Sequence, residues 1–511
     1  MKKIRIVSQV LFILLFFLLF FLASYPLTSV IPVDFFLKLD PLLSITAAIA
    51  ARNILIISIP AVMVIILTMV LGRIFCGWIC PLGTLIDASD TFTVSSDKKS
   101  KIRAYFPWVK FSLLVIVLMA AILSIQLTGF LDPIPLLTRS VTVFLYPVVV
   151  FILEGLSGFF LDMGFLEDFL FNIYDILKGT LLPLNAVMFS GFLLISIIFL
   201  AILFAGVLDR RFWCKNLCPL GALLALFSGK RLYKRKVSED CTSCGLCEKI
   251  CPMNAIKEDF INTNKAECIN CMDCLQICPV NAISFGFYKT STIKAKKAKD
   301  IDFNKRRFLK TAGLSIFTIG FFKAGFTDPV SNSKVVRPPG SLTERKFLDR
   351  CIRCGECIKI CSTSGAGLQP AVLEAGLEGL WSPILRPEVG YCEYNCNLCG
   401  KVCPTGAIHA LDLKKRQELR IGTAYFNKTR CIPWYYGENC MVCEEHCPLP
   451  DKAIKFVPRE VIRIDGEKEE VKLPYVDESL CIGCGICVKT CPLKGEKGIY
   501  LTNANEERFY T

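Results

Sequence analysis

Histidine is almost missing from this chain. Only His409 and His446 occur in 511 residues. Neither lies in an apolar run, which excludes a b-type haem held by two histidines within a membrane. No Cys-x-x-Cys-His occurs, so covalent c-type haem is excluded as well. Residues 341–511 carry no excess charge, with 23 Lys+Arg against 23 Asp+Glu. The net charge of +14 therefore falls entirely in residues 1–340, in short runs beside apolar stretches. That distribution marks cytoplasmic loops and argues against a nucleic-acid footprint. The apolar run Ile6–Ala23 after MKKIR lacks a small-residue cleavage site, so it reads as an uncleaved first span.

What is abundant is apolar surface and cysteine. Hydrophobic residues make up 53% of the chain and Phe alone contributes 38. The mean hydropathy of +0.49 suggests membrane segments in place of one large soluble core. Three further spans are expected at about 54–71, 111–125 and 186–207, each near the ~20 apolar residues that a bilayer requires. Residues 141–160 are also apolar, but Pro147, Glu154 and two glycines favour an interfacial or re-entrant stretch. Four spans place Lys2-Lys3-Arg5, Lys98-Lys99-Lys101-Arg103 and Arg210-Arg211 through Lys236 on one side, and the basic side is the cytoplasm.

The chain has 28 cysteines, and their spacing states what they do. Cys-x2-Cys-x2-Cys-x3-Cys-Pro occurs twice in succession: Cys241, Cys244, Cys247, Cys251, then Cys268, Cys271, Cys274, Cys278. Three thiolates so close wrap three corners of an iron–sulfur cubane, and the fourth reaches the neighbouring cluster. The expected ligand sets are Cys241, Cys244, Cys247 with Cys278, and Cys268, Cys271, Cys274 with Cys251. Zinc sites use paired Cys-x2-Cys arms across a wide gap, a poorer match.

Four more quartets follow: Cys351, Cys354, Cys357, Cys361; Cys392, Cys396, Cys399, Cys403; Cys431, Cys440, Cys443, Cys447; and Cys481, Cys484, Cys487, Cys491. The second and third are stretched at the first gap, and Ser362 replaces the usual proline in the first. Their pairing stays open, because four motifs can exchange last cysteines in more than one way. Regular triplets argue against disulfides.

Four cysteines remain, in FCGWICPLG (Cys76, Cys80) and FWCKNLCPLG (Cys214, Cys218). Each pair follows the cytoplasmic end of an expected span. Two such hairpins facing one another form a four-thiolate site for a seventh cluster, a redox or quinone-contact element, or merely packed helix-entry turns. Asp132 and Arg139 are placed at the non-cytoplasmic edge of the third span, as a quinol headgroup and proton site or as an interfacial anchor. Glu154 is a second proton-site candidate.

Lys305-Arg306-Arg307-Phe308-Leu309-Lys310 resembles a twin-arginine export signal, with Lys305-Arg306 as the pair. The apolar segment after it is short, holds Gly313, Gly320 and Lys323, and is expected to stay as an anchor.

These motifs, in this order, resemble two known proteins fused end to end. Residues 1–290 look like the NapH-type membrane quinol dehydrogenase component. Residues 300–511 look like its NapG-type periplasmic partner. NosR and CcoG types are related, though no covalent flavin site of the NosR kind is visible. The resemblance implies oxidation of quinol, menaquinol among the choices, with electrons passed to a periplasmic reductase or cytochrome, often in a nitrate-reducing system. It also implies export of the second half by the twin-arginine translocase. Maturation or redox sensing, in the CcoG or NosR manner, is the alternative.

The expected fold is an α-helical membrane domain of four spans plus α+β bacterial-ferredoxin-like [4Fe–4S] domains. Residues 1–236 would form the membrane domain and 237–290 a cytoplasmic two-cluster domain. Residues 291–340 would be a basic linker with a fifth anchor, and 341–511 a periplasmic four-cluster domain. Cluster groups on opposite faces would be separated by ~30 Å of hydrocarbon. Either the Cys-x3-Cys-Pro cysteines host an intermediate carrier, or the quinone pool links the two groups.

Overall fold

A computed structural model describes residues 2–27, 29, 31–52, 58–93, 106–162, 188–229, 231–287, 309–317, 332–462 and 468–510. The basic run 98–103, Lys305 to Phe308, and the export segment beyond residue 317 lie outside the described residues. The chain forms two compact units. One comprises Met1–Phe21, Ile31–Ser140 and Leu193–Gly325; the other comprises Leu22–Val30, Val141–Phe192 and Phe326–Thr511.

The first unit is a helical bundle with a small ferredoxin module packed into it. Lys2–Leu22 is a helix of 21 residues, rich in Phe and Leu. Ser58–Leu71, Pro107–Ile122 and Phe192–Phe204 are also apolar helices, of 14, 16 and 13 residues. Among the described residues, two helices are long and apolar enough to cross a bilayer: Lys2–Leu22 and the 25-residue Pro133–Ser157. The second differs from the interfacial stretch expected at 141–160. Proline cannot donate to the carbonyl four residues back, which normally kinks a helix. Here the wider π-helical turn Val141–Leu145 precedes Pro147, and the helix carries on as Tyr146–Asp162.

Several charges at the ends of apolar runs are buried. Arg73, Lys110 and Arg211 have no exposed surface, and Arg5 is 8% exposed. Each has a carboxylate partner. Arg211 forks onto Asp87 through Nε (2.5 Å) and Nη2 (2.6 Å), and its backbone N–H donates to Asp90. Arg5 reaches Asp273 at 3.4 Å.

The ferredoxin module is closed by antiparallel strands Tyr233–Val237 and Ile283–Phe287. It does not stand apart at residue 237. Glu267 is buried between Arg73 Nη1 (3.0 Å) and Lys110 Nζ (2.6 and 2.5 Å). Trp78 Nε1 donates to the Asn270 carbonyl at 3.1 Å, and Arg231 donates to the Cys268 carbonyl. At residue 77 a Cβ would stand 2.6 Å from the Ile269 carbonyl oxygen, so only glycine permits this approach.

The second unit is built around the last four quartets. It starts ahead of the expected boundary at 341: Val335, Val336 and Arg337 are buried, and Arg337 pairs with Glu344. Four residue pairs join Thr423–Phe426 to Ile499–Thr502, and nine join the long hairpin Ile454–Ile462 and Lys468–Val476. Segments distant in sequence belong to this unit for identifiable reasons. The Lys359 ammonium lies 4.1 Å from the Tyr146 ring centroid. Ser190 N–H donates to Gln369 Oε1 at 3.1 Å, and Tyr25 N–H to Thr363 Oγ1 at 2.9 Å.

Replacing Glu267 by Ala would leave two buried cations facing each other, a loss of about 3–5 kcal/mol for a broken buried pair. Thermal unfolding of Glu267→Ala in detergent should show the module melting early. Glu267→Gln combined with Lys110→Met should recover most of that loss.

Candidate metal centres

Local backbone geometry prepares the regular cysteine loops. In four of them the residue before the second cysteine and the residue after it both have positive φ: Ser243 and Gly245, Asn270 and Met272, Arg353 and Gly355, Gly483 and Gly485. Residues placed alternately in this way turn successive N–H groups into one concavity, a nest suited to an anionic acceptor. A short helix starts directly after each: Leu246–Ile250, Asp273–Gln276, Glu356–Ser362 and Ile486–Thr490.

Tertiary structure groups the cysteines of the C-terminal quartets. One cavity is walled by Cys361, Cys392, Cys396 and Cys399. Another is walled by Cys447, Cys481, Cys484 and Cys487, and a third by Cys431, Cys440, Cys443 and Cys491. Cys403 lies within electrostatic reach of Cys351, Cys354 and Cys357. The last cysteines are therefore exchanged in neighbouring pairs, as in the N-terminal module. There Cys251 joins Cys268, Cys271 and Cys274 around one cavity. Cys241, Cys247 and Cys278 pack on the core formed by Val237, Ile256 and Ile283, and Cys244 is exposed.

Each of the four cysteine-walled cavities presents four sulfurs, so one kind of occupant fits them all. None of the 28 cysteines forms a disulfide. Burial pushes Cys274, Cys361, Cys443 and Cys484 up to about 12, so a thiolate there needs iron to replace its proton.

The sets also follow one another. In the second unit Cys357 lies within reach of Cys399. The Cys392 N–H donates to the Cys484 carbonyl at 2.8 Å, and Cys487 is within reach of Cys443. The order is thus the Cys351, Cys392, Cys481 and Cys431 sets, which sequence order does not give. In the first unit Cys274 is within reach of Cys247. On the other side, Cys76 and Cys214 pack with Cys251, Cys268 and Cys271 on Met253, Ala255 and Ile269.

The proposed quinol residues lie elsewhere than expected. Asp132 has no exposed surface and Arg139 is 3% exposed, so both are in the bundle interior and not at a lipid-facing edge. Arg139 Nη1 donates to the Gly129 carbonyl at 2.8 Å. Asp40, another fully buried carboxyl group that sequence reading passed over, lies within electrostatic reach of Asp132, and burial raises the proton affinity of both. The reason is local: Asp132 stands at the sharp junction of Thr128–Leu131 and Pro133–Ser140, which tucks it inward. Glu154 is half-buried on Tyr146–Asp162. Other residues missed from sequence are Arg73, Asp87, Arg211, Glu267 and Arg416. Charges inside or at the ends of apolar runs were the signal available for most of them.

Comparisons with known proteins agree with the cysteine chemistry. Families described as 4Fe-4S binding domains match residues 53–96 with 191–238, residues 235–257 with 261–284, and residues 348–364. A 4Fe-4S dicluster domain family matches residues 438–494. The chain is 34% identical to the methylamine utilization ferredoxin-type protein MauM of Paracoccus denitrificans, over 32% of this chain and 69% of that protein. It is 32% identical to the ferredoxin-type protein NapG of Escherichia coli, over 31% of this chain and 67% of that protein. No solved structure matches significantly.

Arg416 Nη2 donates to Cys392 Sγ at 2.9 Å. Removing that cation disfavours the more negative, reduced state. An interaction difference of about 1 kcal/mol corresponds to roughly 40 mV for a one-electron couple. Arg416→Leu should lower one cluster potential by about that amount in an EPR-monitored redox titration, and Arg416→Lys by less.

Proposed function

Since this chain belongs to the ferredoxin-type iron–sulfur proteins of the MauM and NapG kind, we propose that it conducts electrons from membrane quinol to a periplasmic redox partner. Six [4Fe–4S] clusters would be held by the six exchanged sets, each cluster supplying one-electron transfer when bound. The observation that carries this reading is the serial arrangement of those sets. Neighbouring sets touch or lie within electrostatic reach, in a two-set string in the first unit and a four-set string in the second. A wire needs that continuity, and a storage or structural role does not.

Quinol oxidation releases two electrons and two protons. Desolvation raises the proton affinity of both the Asp40 and the Asp132 carboxyl groups, which suits the pair to take up the two protons, one on each. Asp132 is therefore assigned as the proton acceptor, with Asp40 as its partner. The buried surroundings of both exclude bulk water. In this reading the C-terminal domain is periplasmic, exported through the twin-arginine route. The acceptor is a reductase or cytochrome outside the cytoplasm.

Two measurements test it. Menaquinol added to the anaerobic protein should bleach the cluster absorbance near its oxidised maximum. Loss of a general base typically costs 10²–10⁴-fold in rate, so Asp132→Asn should slow that reduction by at least about 100-fold while dithionite still reduces every cluster. In parallel, a tag after Thr511 should be cleaved by protease in intact spheroplasts. Protection until lysis would refute the export reading, and with no reduction by quinol a cytoplasmic-facing electron donor, or maturation or sensing, would move ahead.

A further inference from the structure

We infer that the ferredoxin module of the first unit carries a second electron port, a docking surface at Cys244 for a small soluble one-electron carrier protein. Of the 28 cysteines, all among the described residues, only Cys244 is exposed. The Cys351 set differs, since Cys351, Cys354 and Cys357 are all buried. Electron transfer falls off steeply with distance. A cluster that only relays between neighbours therefore needs no surface, whereas a ligand at the surface brings its cluster within one step of a carrier outside.

The string of the first unit leads to that surface. At its inner end Asp132 lies within electrostatic reach of Cys76. Cys76 and Cys214 pack with Cys251, Cys268 and Cys271 on Met253, Ala255 and Ile269, and the 4Fe-4S binding domain match over residues 53–96 and 191–238 covers both hairpins. Arg235 joins the next two sets. It lines the cavity of Cys251, Cys268, Cys271 and Cys274, and its Nη2 donates to Cys247 Sγ at 3.5 Å. Cys241, Cys247 and Cys278 share one core, and Cys244 completes their set at the outside. A route from quinol to the second unit has no use for this last station, so it serves another exchange.

The surface fits a protein carrier better than lipid or a second copy of this chain. Residues 242–247 and 275–282, which surround Cys244 and Cys278, hold no charged side chain. The rim is charged, with Glu239, Asp240 and Lys249 exposed. An uncharged centre within a polar rim is the anatomy of a protein contact, and lipid would desolvate the rim charges. At the centre Leu246, Ile277 and Val280 are 37%, 37% and 41% exposed. Three such side chains fall far short of the roughly 800 Å² per partner in a stable interface, and suit the small, brief contact of a redox encounter. The occupant is a carrier whose flavin or iron–sulfur group reaches an apolar face. One electron crosses per encounter, the carrier being oxidised as the Cys241-set cluster is reduced, or the reverse, and no bond is made or broken.

The test uses the full-length, cluster-loaded protein in detergent under anaerobic conditions, with an acidic flavodoxin as the carrier. Photoreduced flavodoxin should bleach the clusters in stopped flow. Leu246→Glu/Val280→Glu places two carboxylates at exposed positions facing the acidic probe, and should slow that step at least about 10-fold. Methyl viologen radical, which needs no docking surface, should reduce the variant as fast as the wild type. Docking is also read without electron transfer: the wild type should broaden the amide resonances of ¹⁵N-labelled oxidised flavodoxin, and the variant should not. A wild type that viologen reduces and flavodoxin does not would overturn the inference, and that arm needs no variant. Equal flavodoxin rates in variant and wild type would do the same. Loss of the rate only in Tyr435→Glu/Tyr436→Glu would move docking to the exposed tyrosines of the second unit, and a dimer that the port variant dissociates would assign the patch to self-association; either result overturns the port. Neither reductant is a quinol, so failure here and failure of the quinol reading are distinguishable.

Discussion

The first unit depends on one buried carboxylate. Glu267 precedes Cys268 directly, and its two oxygens bind cations from two different segments of the bundle, Arg73 and Lys110. Burying three charges is tolerable only when each has its partner, because an uncompensated ion in an apolar interior costs several kcal/mol. The triad therefore fixes the cysteine loop against the bundle. It also orients Arg73. With Nη1 committed to Glu267 and the Ala266 carbonyl, the remaining guanidinium edge is turned toward the Cys-x3-Cys-Pro hairpins.

The second unit uses a different principle. Its strands are mostly three or four residues long and many of its helices a single turn. Apolar contacts of that size do not hold a domain of this length, and metal–thiolate bonds replace much of the usual core. The longer ribbon, Ile454–Ile462 with Lys468–Val476, is an exception. It half-covers Trp434, whose Nε1 donates to the Pro474 carbonyl at 2.9 Å, beside the Cys431 set.

The cysteine quartets were legible in the sequence because ligand spacing within a loop is set by the covalent chain. The exchange of Cys361 with Cys403, and of Cys447 with Cys491, was not legible in the same way. It depends on which loops fold against each other, and several arrangements satisfy the same spacing. Charges were misread for a related reason. Arg5, Arg73 and Arg211 beside apolar runs look like topogenic flanks, and only their carboxylate partners Asp87, Glu267 and Asp273 distinguish them. Asp132 was noticed as an acid near an apolar run, but its companion Asp40 is 92 residues away in sequence and no local pattern joins them.

The exchanged cysteines set a rule for biosynthesis. The loop at 351–357 lacks its fourth thiolate until residue 403 has been made, and the loop at 392–399 takes its own from residue 361, already synthesised. Neither cluster of such a pair can be finished on a nascent chain that stops between them. Loading is thus a cooperative event of the paired loops, comparable to closing an interlocked clasp, and a chain halted halfway presents open, reactive thiols. Quality control that inspects exposed thiols would read directly whether the pair has closed.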